Sequence, residues 1–134
     1  MVQTRKQRIS GKILGQVQKI KDSESDANQK KYGTMAHRLP ILVHSAGLVQ
    51  ALAFVQAKKK NTKAWGKYID DLALTLGKNN GDQLFRDVQG APLKEYMTLT
   101  HQVNEALVWY KRFAESILKV EAKDANTDEA EGEE

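Results

Sequence analysis

The chain has 134 residues, 40% of them apolar and none of them cysteine, which is enough for one modest hydrophobic core and too little for two domains. Without thiols there is no disulfide and no cysteine nucleophile or ligand, a composition that fits a reducing cytoplasm, the expected location. The net charge of +4 conceals a division: residues 124–134 hold six acids and no base, so residues 1–123 carry 21 bases against 11 acids, a balance that suits polyanions.

No apolar run reaches the roughly 20 residues of a membrane span, and Met1 to Lys6 leads into no apolar signal core, so no membrane partner is expected. Near the N-terminus Ile9, Ile13, Val17 and Ile20 recur at helical spacing and predict an amphipathic helix from about Arg5 to Lys21. At about 100° per residue, Arg5, Arg8, Lys12 and Lys19 fall within about 60° of one another, far from that stripe. They form one basic row without an acid, read either as a solvated face or as a phosphate contact.

The polar run Asp22 to Asn28 is the next connection, with Ser25 or Asp26 as an N-cap. The helix that follows carries Tyr32, Met35, Ala36, Leu39, Leu42, Val43 and Ala46 on one stripe and meets Pro40, where it either kinks or breaks and restarts. After Gly47 the residues Leu48, Val49, Ala51, Leu52, Ala53, Phe54 and Val55 leave almost no polar face, which predicts a core helix covered from several sides, Phe54 included. Lys58, Lys59 and Lys60 close it, either as favourable charge at a helix C-terminus or as a phosphate site.

A further amphipathic segment places Trp65, Ile69, Leu72, Ala73 and Leu76 on its apolar side with Tyr68 at the edge, and Lys63 and Lys67 one turn apart on its exposed side. Gly77 to Asp82 is a turn whose glycines match no phosphate-binding spacing. Leu84, Phe85 and Val88 supply a short helix, and Pro92 opens a last one predicted to run to about Lys123 along the stripe Leu99, Val103, Ala106, Tyr110, Phe113 and Ile117. On it, Trp109 beside Lys111 and Arg112 reads either as core or as a stacking platform flanked by bases.

The chemistry of an enzyme does not assemble. His37, His44 and His101 are the only histidines, the pair His101 and Glu105 on one helical face reads either as a weak metal pair or, preferred, as a surface hydrogen bond or ion pair, and Asp70, Asp71 and Asp82 lack the ligand count of a calcium or magnesium site. No serine sits in a nucleophile motif. A protein without catalytic activity and without a cofactor is expected.

Two blocks carry a resemblance. Leu39-Pro40, Gly47-Leu48 and Leu52-Ala53-Phe54 closed by Lys58, followed by Glu95-Tyr96, Leu99-Thr100, Glu105-Ala106-Leu107 and Trp109 with Lys111-Arg112-Phe113-Ala114, resemble the small helical subunit of the Cmr complex, the type III-B CRISPR effector. The resemblance implies a non-catalytic subunit of a ribonucleoprotein, stacked in several copies along guide and target RNA beside other subunits of the effector, in antiviral defence. The alternatives are a helical protein-interaction adaptor, or the equivalent small subunit of a type III-A effector.

The expected fold is all-α: one domain of five or six helices, orthogonal or bundle-like, with a long C-terminal helix and the core helix between the first and last. Residues 1–123 are read as a helical RNA-binding domain and 124–134 as an acidic tail with the composition of a disordered segment, expected to compete with RNA for the basic body. The candidate RNA contacts are Arg5, Arg8, Lys12, Lys19, Arg38, Lys58, Lys59, Lys60, Lys63, Lys67, Lys111 and Arg112. Arg38 and the first-helix bases stand on charge geometry alone.

Overall fold

Six helices, and no strand, make up the described residues 2–123 of the computed structural model: α1 (Arg5–Ser23), α2 (Asp26–Ala46), α3 (Leu48–Lys58), α4 (Lys63–Thr75), α5 (Gly81–Gly90) and α6 (Leu93–Ser116). The acidic stretch 124–134, expected to be disordered, lies outside the described residues. No helix among those described is long and apolar enough to cross a membrane.

The stripes expected on α1 and α6 are the buried ones: Ile13, Val17 and Ile20 from α1, and Leu99, Val103, Ala106 and Tyr110 from α6. Pro40 lies inside an unbroken α2, so the helix does not restart there. The interruption comes at Gly47, whose φ of 89° is a region that favours glycine. Its N–H closes α2 on the Val43 carbonyl and its carbonyl opens α3 for Ala51.

Three expectations are corrected. Helix α3 does not lie between α1 and α6; its main neighbours are α2, α4 and α5, while α2 and α4 are the elements around which the others gather. Phe54 is half-buried rather than covered on all sides, because it faces the margin where α2 and α4 approach. On α4 the roles of two aromatics are exchanged: Tyr68 is fully buried and Trp65 sits at the edge. Tyr68 is drawn inward by edge-on contacts with Tyr32 and Tyr110, at ring-centroid distances of 5.1 and 5.0 Å.

The last helix is also shorter than its stripe suggests. It ends at Ser116, the chain turns through Lys119 at φ 60°, and the N–H groups of Leu118 and Val120 donate back to Phe113 and Ala114. The physical cause is tertiary. Val120 is seated on Gly33 of α2, where an added Cβ would stand 2.7 Å from it, and the Val120 carbonyl is 2.7 Å from His37 Nε2. Continuing the helix would forfeit the burial of both Leu118 and Val120.

Candidate nucleic-acid interface

The row on α1 is set by its N-cap. Thr4 accepts from the Gln7 N–H at 3.1 Å while the Gln7 side chain accepts from the Thr4 N–H at 2.7 Å, a reciprocal box that starts the helix and fixes Arg5 and Arg8 in its first turns. All four bases of the row are exposed, but they are not all solvated alike. Arg5 pairs with Glu105 of α6 at 3.3 Å, and Lys12 donates to the Leu74 carbonyl at the end of α4, at 3.3 Å. Arg8 and Lys19 have no ion pair among the described residues. Arg5, Arg8 and Lys12 thus border a groove closed by Thr75, Leu76 and Gln102, and the row is not detached from the body as its angular separation from the stripe suggests.

A second group forms where α2, α3 and α4 meet. The Arg38 guanidinium of α2 lies over the rings of Phe54 and Trp65, at 5.0 and 5.4 Å from their centroids, and Lys58 stands 5.8 Å from the Phe54 centroid. The two rings are 6.2 Å apart. Trp65 is anchored by its indole N–H, which donates to the Lys31 carbonyl at 3.0 Å. This is the cation-on-ring geometry that stabilises a guanidinium at a partly solvated surface.

The remaining bases of this region divide by partner. Lys59 is half-buried and bonded to Asp82, which also accepts from Gln56 at 2.7 Å; the Lys59 contact holds the Asp82 carboxyl below the usual carboxylate range. Lys67 reaches Asp71 at 3.1 Å. Lys58, Lys60 and Lys63, on the end of α3 and the turn into α4, have no ion pair among the described residues. Lys59 and Lys67 are therefore committed inside the chain, and the other three remain available for an external anion.

On α6, Trp109 is half-buried and stacks on Phe113 one turn later, with centroids 5.9 Å apart and planes inclined by 27°. Arg112 covers the Trp109 ring at 5.2 Å. Lys111 borders a separate groove between α2 and α6 with Pro40, His44, Asn104 and Val108. His101 and Glu105 are 4.0 Å apart, and no group of three metal-ligating side chains occurs among the described residues. The candidate bases are thus spread over three places and do not converge on one.

Sequence reasoning took Phe54 and Trp65 for core and so missed the aromatic floor beneath Arg38. One local signal was present: an aromatic followed closely by a base on the same helix, in Phe54 with Lys58 and in Trp109 with Arg112. It also missed the buried carboxylate. Asp71 is 2% exposed, and burial pushes its carboxyl up against the opposing hydrogen bonds from Tyr32 and Lys67.

The family model of a CRISPR-associated protein (Cas_Cmr5) matches residues 5–117. The chain is 38% identical over 103 residues to the CRISPR system Cmr subunit Cmr5 of Thermus thermophilus, a match that covers 76% of this chain and 88% of that one. It is also similar to the crystal structure of a CRISPR-associated Cmr5 family protein from Thermus thermophilus, with a TM-score of 0.78 and 36% identity, over 86% of this chain and 98% of the other. With a helical core of this topology and a family match spanning all six helices, the chain belongs to the Cas_Cmr5 family, the small subunits of the type III-B Cmr complex.

Proposed function

We propose that this protein is a non-catalytic small subunit that works beside the other Cmr subunits and, in several side-by-side copies, offers RNA a cationic surface in antiviral defence. The phosphates are held by Arg38, Lys58, Lys60 and Lys63. The observation that carries this reading is the Arg38 guanidinium poised over Phe54 and Trp65, next to a turn where Lys58, Lys60 and Lys63 make no internal ion pair among the described residues. Lysines supply phosphate charge without base information, and two half-exposed rings offer a sequence-tolerant face for an unstacked base.

The test is binding of a single-stranded RNA across a salt series. Replacing Arg38, Lys58, Lys60 and Lys63 by alanine should lower affinity for all sequences alike and flatten the salt slope by about 0.7 per lost phosphate contact. A salt slope that the four replacements leave unchanged would refute the assignment. A second reading, with the α1 row as the contact, is favoured by Arg8 and Lys19, which have no ion pair among the described residues and lie on one exposed helix face. A chain that binds no RNA at low salt would instead be the protein-interaction adaptor.

A further inference from the structure

We propose that the solvent face shared by α2 and α6 docks a neighbouring subunit of the Cmr complex, which lays on it an amphipathic helix edged with carboxylates. Six large apolar side chains are exposed among the described residues, and four of them, Ile41, Leu93, Met97 and Val108, belong to these two helices. Their exposures run from 47% to 75%, so this chain's own fold gains little from them. At about 100° per residue, Leu93, Met97, Asn104, Val108 and Lys111 fall within about 60° of one another, a line of roughly 27 Å along α6. Helix α2 runs antiparallel beside it: Gly47 at its C-terminal end meets the Tyr96 hydroxyl, and Gly33 nearer its start meets Val120. Between the two lies the groove lined by Pro40, Val43 and Leu107, with Asn104 and Val108 on its α6 side and His44 on its α2 side. Ile41, one turn before His44, extends the α2 rim.

What the surface offers defines its occupant. Both walls are helices and present no strand edge, so an extended segment would leave its own backbone groups unpaired there. A helix satisfies its backbone internally and needs only side-chain anchors at helical spacing, which Met97, Val108 and Ile41 can receive. The titratable side chains in the groove are both bases, Lys111 and His44, and no acid lines it. Lys111 makes no ion pair among the described residues. Glu115, one turn past Lys111 on the same line, lies beyond the groove. Carboxylates along the edge of the incoming helix therefore complement this surface, whereas a second copy presenting the same face would bring the same bases to it. The docking rests on the chain's place beside other Cmr subunits, not on the RNA contacts proposed above.

The experiment is a competition for assembly. Equal amounts of the wild-type chain and a full-length variant, distinguished by isotope labelling, are combined with the other purified Cmr subunits, and mass spectrometry reads their ratio in the assembled complex. M97E combined with V108E changes two exposed positions and leaves the buried stripe of α6 intact, so circular dichroism should show a folded chain. That variant should be depleted about tenfold or more, and K111E alone severalfold. L74E, which puts the same charge on an exposed apolar position of α4, should enter at parity. Equal entry of the M97E/V108E chain, or equal depletion of L74E, overturns the proposal.

A photo-crosslinking residue in place of Met97 or Val108 identifies the occupant within the same purified complex. Crosslinks to an acid-bearing helical segment of a different subunit are expected; crosslinks to a second copy of this chain, or to RNA, overturn the assignment. Oligouridine binding by the isolated chain, measured by fluorescence anisotropy, separates the two readings. The M97E/V108E chain should bind as wild type does while failing to assemble. If neither chain binds oligouridine and the variant is still excluded from the complex, the docking stands and the RNA reading fails.

Discussion

The Tyr32 hydroxyl donates to the Asp71 carboxylate across 2.8 Å, joining α2 to α4 through the centre of the fold. Lys67 holds the other oxygen from the surface at 3.1 Å. Nearby, Tyr110 donates to Gln16 at 2.5 Å and shares a hydrogen bond with Thr75 at 3.1 Å, so α1, α4 and α6 are tied by the same polar core. Such networks are costly when half satisfied.

Removing the acceptor should therefore matter more than removing the charge. Asp71→Ala leaves the Tyr32 hydroxyl buried and unpaired and should cost about 1–3 kcal/mol, with part restored by adding Tyr32→Phe. Asp71→Asn keeps an acceptor and should cost less. Chemical denaturation of the three variants checks this.

The pH dependence has a defined sign. The folded carboxyl of Asp71 is raised above its ordinary value by burial, so the folded state binds the proton more tightly than the unfolded one. This contribution to stability is greatest below the ordinary carboxylate range and declines as pH rises through the raised folded value. Asp71→Asn should abolish that part of the slope, so the stability of the variant relative to wild type should increase over this window and then level off. A constant difference across the window would show that Asp71 ionises normally.

Gly33→Ala sets two known effects against each other. Alanine favours the helix by about 1 kcal/mol, but its Cβ would collide with Val120, whose side-chain burial is of the order of 1.5–3 kcal/mol. The substitution should release residues 117–123, seen as faster amide exchange at Leu118 and Val120, with a small net loss of stability. Val120→Ala should not rescue it, because the Val120 Cβ itself stands 2.7 Å from the added carbon, whereas Val120→Gly removes the collision.

Within α3, truncation costs should follow burial and not hydrophobicity. Leu52, 1% exposed, should lose about 2–5 kcal/mol on replacement by alanine, and the larger but half-buried Phe54 only about 1–2. Phe54→Ala should also loosen Arg38, which loses one of its two rings. Equilibrium unfolding of the pair decides the ranking.

The helices were legible because their signals are local. The recurrence of Ile13, Val17 and Ile20, or of Leu99, Val103, Ala106 and Tyr110, depends only on the pitch of the helix, and Gly47 announces its own break. The exchange of Trp65 and Tyr68 was not legible, since two aromatics three residues apart are separated only by what approaches them, here Tyr32 and Tyr110. The end of α6 was hidden for the same reason: Ile117 continues the stripe, and the seat for Val120 is made by a glycine more than eighty residues earlier. Among the bases, composition counted charges but not partners. Glu105 and Asp82 reach Arg5 and Lys59 from other helices, a pairing the sequence does not show, whereas Asp71 pairs with Lys67 one turn along α4 and that pair is local.

Gly47 serves as the end of one helix and the beginning of the next, and this has an electrical consequence. The partial negative charge at the close of α2 abuts the partial positive charge at the opening of α3, with the Tyr96 hydroxyl accepting from the Val49 N–H at 3.2 Å. The two half-charges offset each other at the elbow, so the pair behaves as a single long dipole bent in the middle. Its exposed negative pole, about half a charge, falls at the turn that carries Lys58 and Lys60, while Lys59 is already bonded to Asp82. An anion arriving at that turn meets lysines that already balance a carbonyl end, and the cationic strength of the site is smaller than its residue count.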